Sequence, residues 1–477
     1  MNKDTIKIAL ISFQCDADRV PPMGLVYLAT YLRDRAGIKN IKIIDKNFHN
    51  VDAELAKYSP DIIGIAAMTI TYGEAIRFAE KLKRKSKIPI IIGGVHISSI
   101  PESLKPCFDL AVLGEGEETL SEIISLYLKK EKFDKKDLRK IKSLAFQESG
   151  KLVMTPLRKP IELDSLPLPD FDFVEKAYFV PKEIPSLSQF GIKAHILTSR
   201  GCPYRCVFCS TSRFWGRVRL HSPEYTAKLV KQAIEKYGAD YFSFVDDLFT
   251  ISVERLREFK KEFEKQGIFD KIKGIECQPR ANLINNEMCQ IMKELKVKVV
   301  SFGFESGSDK VLKWLKAGSV TAEMNRKAIV LCKKYGFIVY GSLMFGSPGE
   351  KIEDMQKTLD FIDFAVKHRA TYIWSFVSTP FPNTPFWDIA LKRGKVSNDM
   401  DWDLLTHHNL DNPLLLDEDV DKEKFKRIFL KGRRKLMRLK LRMVVSFVAK
   451  HPFAALKLTL KEPGYYAKRL VKQIFKQ

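Results

Sequence analysis

The sequence predicts an α/β protein: an N-terminal doubly wound, Rossmann-like sheet domain, then a partial (β/α)6 barrel, then a basic helical C-terminal segment. Three observations carry this reading. Short β-branched runs alternate with amphipathic stretches over the first 130 residues, the alternation restarts at His195 after a proline-rich stretch, and Lys and Arg concentrate after Lys422. With 477 residues, 45% of them apolar, the chain has room for two or three cored domains.

The first domain is expected over residues 1–135. Its strands are predicted near Ile6–Phe13, Ile41–Asp45, Ile62–Ala66, Ile88–Ile92 and Leu110–Leu113, each a short β-branched run. Between them, Met23–Arg35 and Glu74–Lys85 place apolar residues such as Leu25, Leu28 and Leu32 three or four apart, as crossover helices require. Ligands of such sheets bind outside the carboxyl ends of the strands. Those ends carry Asp45, Met68-Thr69, Gly93-Gly94-Val95-His96 and Gly114-Glu115-Gly116-Glu117. Glycines there leave room for a large ligand, or simply make tight strand-to-helix turns.

Residues 136–190 read as a linker, charged and then limited by Pro156, Pro160, Pro167 and Pro169. The barrel is expected over 191–395, with strands near 195–199, 240–245, 273–277, 298–304, 337–345 and 371–378. Its helices are punctuated by Ser222 as N-cap, Pro223 at the first helical position and Gly238 past the end, and by Thr321 and Gly336 on another. The active face of such a barrel is its carboxyl-terminal rim. Residues 396–477 form the basic helical C-terminal region.

The chemistry is carried by Cys202, Cys206 and Cys209, spaced Cys-x3-Cys-x2-Cys directly after the first barrel strand. Three thiolates on one loop can hold three irons of a four-iron cluster and leave the fourth open to a small molecule. A structural zinc site would want a fourth Cys or His, and His221, the nearest candidate, stands alone. Eight cysteines are sparse for a disulfide framework of this length. Gly201, Pro203 and Arg205 break the periodicity that core cysteines share. The remaining Cys277, Cys289 and Cys332 fall in strand or helix patterns and read as core.

The later strand ends supply Asp246 and Asp247, Gln278 to Arg280, Glu305-Ser306-Gly307, Gly346-Ser347-Pro348-Gly349-Glu350 and Thr379 to Pro385. An amino-acid sulfonium on an open iron needs carboxylates or carbonyls for its amino group, a cation for its carboxylate and groups for its ribose hydroxyls. The ring offers all three. Any single acid there is as readily a solvated charge or a helix cap.

On these residues the chain resembles the radical S-adenosylmethionine superfamily, in the group with an N-terminal cobalamin-binding domain that includes anaerobic magnesium-protoporphyrin ester cyclases and class B methyltransferases. The resemblance spans roughly residues 5–395 and rests on the cysteine triplet with Phe208, on Phe304-Glu305-Ser306, on Met344 to Glu350, on Pro21-Pro22-Met23-Gly24 and on the turns at Gly93 and Gly114. It implies a [4Fe-4S] cluster on the three cysteines and cleavage of S-adenosylmethionine to a 5′-deoxyadenosyl radical. Phe208, Asp246, Asp247, Arg280, Glu305, Ser306, Gly346, Pro348 and Gly349 would then serve S-adenosylmethionine, with Phe208 near the adenine. Met23, Gly24, Thr69, Gly93, Gly94, His96, Gly114, Glu115 and Gly116 would serve cobalamin. The group's Asp-x-His-x-x-Gly is replaced by Asp45-Lys46-Asn47-Phe48-His49, so no protein His is expected as axial ligand. Methylthiotransferases carry three further cysteines in the first domain, whereas Cys15 and Cys107 are the two present there.

The net charge of +23 is concentrated at the end. From Lys422 to Gln477 eighteen Lys and Arg face only Glu423 and Glu462, a local charge of +16, which leaves +7 for the first 421 residues. Phe425, Ile428, Phe429, Leu436, Leu439, Met443 and Phe447 recur near helical spacing among these cations. Such a segment lies on an anionic membrane surface, or packs its stripe on the barrel and solvates its charges; both stay open. Nucleic acid is disfavoured because no RNA-binding motif accompanies the charge. The opening residues are too short an apolar run for a secretion leader and no stretch reaches transmembrane length, so a cytoplasmic location is expected, peripheral on the inner membrane face if the tail is interfacial. The expected function is methylation of an unactivated carbon on an apolar or lipid-like small molecule, with an external electron donor such as flavodoxin or ferredoxin. Radical cyclisation, oxidation or carbon–carbon coupling is the alternative, and a non-catalytic iron–sulfur or zinc protein recruited to membrane or RNA is the second.

Overall fold

The computed structural model describes residues 2–14, 20–179 and 191–450. Cys15 and the tail beyond Lys450 lie outside them, as do the side chains of Met443 and Phe447. The chain divides into two compact units. The first comprises Met1–Phe179, His195–Ala233 and Thr379–Leu415, and the second comprises Val180–Ala194, Ile234–Ser378 and Leu416–Gln477.

The first unit is built on β1 (Lys7–Ser12), β2 (Asn40–Asp45), β3 (Ile62–Ala66), β4 (Ile90–Gly93), β5 (Leu110–Val112), β6 (Leu144–Glu148) and β7 (Lys151–Met154), in the order β2-β1-β3-β4-β5-β6-β7. The first five are parallel, as expected of a doubly wound sheet. Their cores are unbroken apolar runs: Ile8, Ala9, Leu10 and Ile11 are each 1% exposed or less, because helices cover both faces.

The expected linker is only partly a linker. Residues 144–154 add the antiparallel hairpin β6–β7 to the sheet edge, turned by Ser149 and Gly150, both at positive φ. Beyond it the proline-rich stretch runs along the helix Met23–Asp34: Leu163 and Leu166 pack on Tyr27, and the Asp170 carboxylate accepts from Arg33 at 2.5 Å. The prolines remove regular structure without removing burial.

Next come β8 (Lys193–Ile196) and the short antiparallel pair β9 (Ser199–Arg200) and β10 (Arg219–Leu220). They are followed by β11 (Tyr241–Phe244), β12 (Gly274–Cys277), β13 (Val297–Glu305), β14 (Ile338–Phe345) and β15 (Tyr372–Val377). The second sheet has the sequential order β15-β14-β13-β12-β11-β8, the open arc of a six-unit barrel, with β11 to β15 parallel. The caps fall where expected: the Ser222 hydroxyl accepts from the Tyr225 amide at 3.1 Å, and that of Thr321 from Met324 at 3.2 Å.

Two expectations about boundaries change. The segment His195–Ala233, expected inside the barrel domain, clusters with the first sheet, and so does Thr379–Leu415. Residues 396–421, expected to begin a helical region, are irregular except for a 3-10 turn at Trp402–Leu404, and the long helix runs from Lys422 to Lys450. Trp402 explains the return to the first unit: it is 2% exposed, stacked on Trp387 and edge-on to His96.

The basic helix Lys422–Lys450 packs on the helix Ile352–Lys367 and on β15. Phe425, Phe429, Leu436 and Leu439 are buried, with Phe429 edge-on to Phe345, and Gly432 lets the helix come close to Leu359 and Ile362. The described part of the stripe is therefore packed on the barrel. Among the described residues no helix is long and apolar enough to cross a membrane.

Candidate active site

The cysteine loop is a hairpin. Strands β9 and β10 pair Ser199-Arg200 with Arg219-Leu220, and the chain between them carries Cys202, Cys206 and Cys209 and the one-turn helix Thr211–Trp215. Gly201 opens the loop at φ 101°, where a Cβ would stand 2.8 Å from the Arg217 carbonyl oxygen, so only glycine fits. Inside the loop the Cys209 amide donates to the Cys206 carbonyl at 3.2 Å, and Arg213 donates to the carbonyls of Cys206 and Cys209 at 3.3 and 2.9 Å. Cys206 is buried and Cys202 and Cys209 are half-buried, none of them in a disulfide. Phe208 is half-buried beside Phe386, with ring centroids 6.3 Å apart.

The donor set fits an iron–sulfur cluster. Among the described residues no group of three His, Cys, Asp or Glu side chains is disposed to hold a single metal ion. A cubane asks for something different: each of its thiolates binds its own iron, so the sulfurs stand around the cluster rather than converge on one point.

The strand ends of the first sheet divide into backbone turns and side chains already engaged. Gly94 sits at φ 102° with a Cβ position 2.6 Å from the Ala67 carbonyl oxygen, and Gly114 at φ 75°. Gly93 is half-buried at the end of β4, Gly116 lies against Leu28, and Gly24 has open space where a Cβ would be. Met23 opens its helix and packs on the cluster of Tyr27, Leu163 and Leu166. His96 is fully buried, its Nδ1 hydrogen-bonded with the Thr69 hydroxyl at 3.2 Å and its Nε2 with that of Ser103 at 3.1 Å. Burial pushes its pKa down to about 3. It is a neutral interior group that fixes the turn from within. His49 is engaged as well: its Nδ1 accepts from the Asp45 amide and its Nε2 contacts Glu175, each at 3.1 Å.

Glu115 is the largest surprise on this side. Read from the sequence as a cofactor contact, its carboxylate instead accepts from Arg219 at 2.9 and 3.0 Å, from Arg200, and from the Ile161 amide at 2.9 Å. Burial alone would raise its pKa, but the two guanidiniums outweigh it and hold the carboxyl below its ordinary range. Arg200 and Arg219 were not singled out from the sequence; their flanking position on both sides of the cysteine loop was the available signal.

The second unit holds the other strand-end residues. Asp246 is buried and Asp247 exposed after β11. Arg280 donates to the Ser319 hydroxyl at 2.6 Å. Glu305, at φ 60°, accepts from Lys316 at 2.8 Å, both side chains nearly inaccessible. The Ser306 hydroxyl meets that of Thr358 at 3.1 Å. Gly346 and Gly349 take positive φ around Pro348, and the turn is closed by Glu350, which accepts from the Gly346 and Ser347 amides at 2.7 and 3.1 Å. Complete burial outweighs those amides and raises the Glu350 carboxyl to about 8.

A doubly wound sheet with glycine-lined strand ends, in one compact unit with a three-cysteine hairpin, is the arrangement an iron–sulfur enzyme with a second cofactor domain would have. Family comparisons agree region by region: the Radical SAM superfamily matches residues 196–362 and the B12 binding domain residues 11–124. A protein of Pyrococcus horikoshii named as an uncharacterized methyltransferase is 31% identical over 379 residues, covering 78% of each chain. The anaerobic magnesium-protoporphyrin IX monomethyl ester cyclase of Rubrivivax gelatinosus is 26% identical over 349 residues, and the match spans 71% of this chain but 61% of the cyclase. Among solved structures, the cobalamin-dependent S-adenosylmethionine radical enzyme OxsB superimposes with a TM-score of 0.69 at 18% identity, over 99% of this chain and 75% of that one. The chain belongs to the cobalamin-binding group of the radical S-adenosylmethionine superfamily. Its cofactors are a [4Fe-4S] cluster, S-adenosylmethionine and cobalamin.

Proposed function

We propose that the protein transfers a methyl group to an unactivated carbon of an apolar small molecule. The carrying observation is that the thiolate hairpin and the B12-type sheet belong to one compact unit and share buried ion pairs. When bound, S-adenosylmethionine and cobalamin would supply the radical and methyl-transfer chemistry. Cys202, Cys206 and Cys209 would hold the cluster; Phe208, Asp246, Asp247, Arg280, Glu305, Ser306 and the Gly346–Gly349 turn would bind and orient S-adenosylmethionine. Met23, Gly24, Thr69, the Gly93–Gly94 turn with His96 behind it, and the Gly114–Gly116 turn would shape the corrinoid pocket. An external one-electron donor is required.

The apolar substrate class is supported by β14 and β15. Tyr340, Ser342 and Met344 alternate with fully buried neighbours and are themselves half-buried, and across the ladder stand Tyr372, Trp374 and Phe376, also half-buried. One face of this pair of strands is thus core and the other a half-buried, mostly aromatic wall. The described stripe of the basic helix is used in packing, so lipid surface contact forms no part of the reading.

The match to ester cyclases supports ring closure as the second reading. The two separate by product: reconstituted enzyme given an anaerobic small-molecule extract should release S-adenosylhomocysteine together with 5′-deoxyadenosine. Release of 5′-deoxyadenosine alone would replace methyl transfer by cyclisation or oxidation.

A further inference from the structure

The cysteine hairpin contains an arrangement that should repel itself. In the register of β9 and β10, Arg200 stands directly opposite Arg219. Like charges facing each other across an antiparallel pair destabilise it. Both guanidiniums are also withdrawn from water, with side chains 6% and 7% exposed, where repulsion is screened least. They share the Trp215 ring, at 5.5 and 5.8 Å from its centroid, so the aromatic face offsets part of the desolvation.

What makes the register tenable comes from the turn after β5. Glu115 takes Arg219 with both oxygens at 2.9 and 3.0 Å and takes Arg200 as well, while Glu117 accepts from Arg200 at 2.7 Å. The carboxylates are nearly inaccessible too, 14% and 5% exposed. Two cations and two anions form a closed, neutral set. Removing one anion would leave two buried cations facing each other, and the hairpin stem could relieve them only by opening or slipping. A one-residue slip would turn the stem residues to the other face. Cys202 lies two residues from Arg200, so such a change displaces the first thiolate directly.

We propose that Arg200, Arg219, Glu115 and Glu117 form a positioning clamp that closes the cysteine hairpin in the register required for three thiolates to face one cluster. These are positioning residues and touch no reacting atom. The clamp rests on the cluster reading of the triplet, and it gives the Gly114–Glu117 turn a duty separate from any cofactor contact of its own.

The test uses full-length protein in two forms. In metal-free protein, alkylation of each cysteine by iodoacetamide is timed by mass spectrometry. Glu115→Gln should speed alkylation of Cys202, Cys206 and Cys209 about tenfold, as expected for a coupling of this size, while the buried Cys107, Cys277, Cys289 and Cys332 keep their rates. The double variant Glu115→Gln, Arg219→Gln removes the facing charges and should return the three rates to near wild type. In iron-loaded protein, Glu115→Gln should lose iron faster to a chelator and change the electron paramagnetic resonance spectrum of the reduced cluster, with the double variant again restoring both. Unchanged alkylation in Glu115→Gln, equal acceleration at every cysteine, or no rescue by the double variant would overturn the clamp. If wild type takes up no cluster, the proposed function fails while the alkylation series still decides the clamp.

Discussion

The three cysteines of the hairpin in the first unit and the three of the second unit have opposite settings. Cys277, Cys289 and Cys332 in the second unit are fully buried on a strand and two helices, and burial raises the Cys277 thiol. Cys202 and Cys209 in the first unit are half-buried on a hairpin loop, with Cys206 buried between them. The same side chain is thus core filler where the backbone is regular and a candidate ligand where glycine and proline hold it on a loop. The carboxylates show no such division. Glu115 in one unit and Glu305 in the other are both committed to buried cations, Arg219 with Arg200 and Lys316 respectively.

The contrast between the cysteine sets gives the largest expected effect. Cys206→Ser should abolish iron retention and cleavage of S-adenosylmethionine, whereas Cys277→Ser should keep iron and cleavage and lose only stability; iron analysis of both reconstituted variants decides. In the second unit, Phe429→Ala should cost about 3–5 kcal/mol because it empties the seat of the basic helix against Phe345. Urea unfolding measures it, and a loss below 1 kcal/mol would mean that the helix is held elsewhere. In the first unit, Gly94→Ala should cost about 1–3 kcal/mol from backbone strain, since its Cβ meets the Ala67 carbonyl at 2.6 Å. The equivalent change at Gly114, where open space replaces the clash, should cost less.

A pH dependence is expected from the second unit. Glu350 has a carboxyl raised to about 8 in the folded chain, against an ordinary value near 4.5. The folded state therefore binds more protons than the unfolded state between those values, and stability from this group falls as pH rises from about 4.5 to about 8. Glu350→Gln should flatten that slope. Urea midpoints of wild type and variant between pH 5 and 9 should diverge toward the alkaline end, and parallel curves would refute the assignment.

Much of this was legible in the sequence, for reasons that differ by element. The parallel strands announced themselves because burial on both faces demands unbroken runs such as Ile8–Ile11, and the caps at Ser222 and Thr321 because their hydroxyls satisfy helix amides. The cysteine triplet was legible because its spacing is local in the chain. The β6–β7 hairpin escaped although Ser149-Gly150 is a turn signal, since a charged, proline-rich neighbourhood masked it. The ion-pair clamp escaped because Glu115 and Arg200 are 85 residues apart and nothing in a single chain marks such a partnership. For the same reason the hydrogen bonds of His96 to Thr69 and Ser103 could not be read from the sequence.

The central claim is that the hairpin holds a cluster able to cleave S-adenosylmethionine beside a corrinoid-binding sheet. Anaerobic reconstitution with iron, sulfide and hydroxocobalamin, followed by reduction and addition of S-adenosylmethionine, tests it in one preparation. The account predicts about four irons per chain, a corrinoid spectrum that persists through gel filtration, and 5′-deoxyadenosine released by wild type but not by Cys206→Ser. Tight zinc in place of iron, with S-adenosylmethionine left intact, would contradict it.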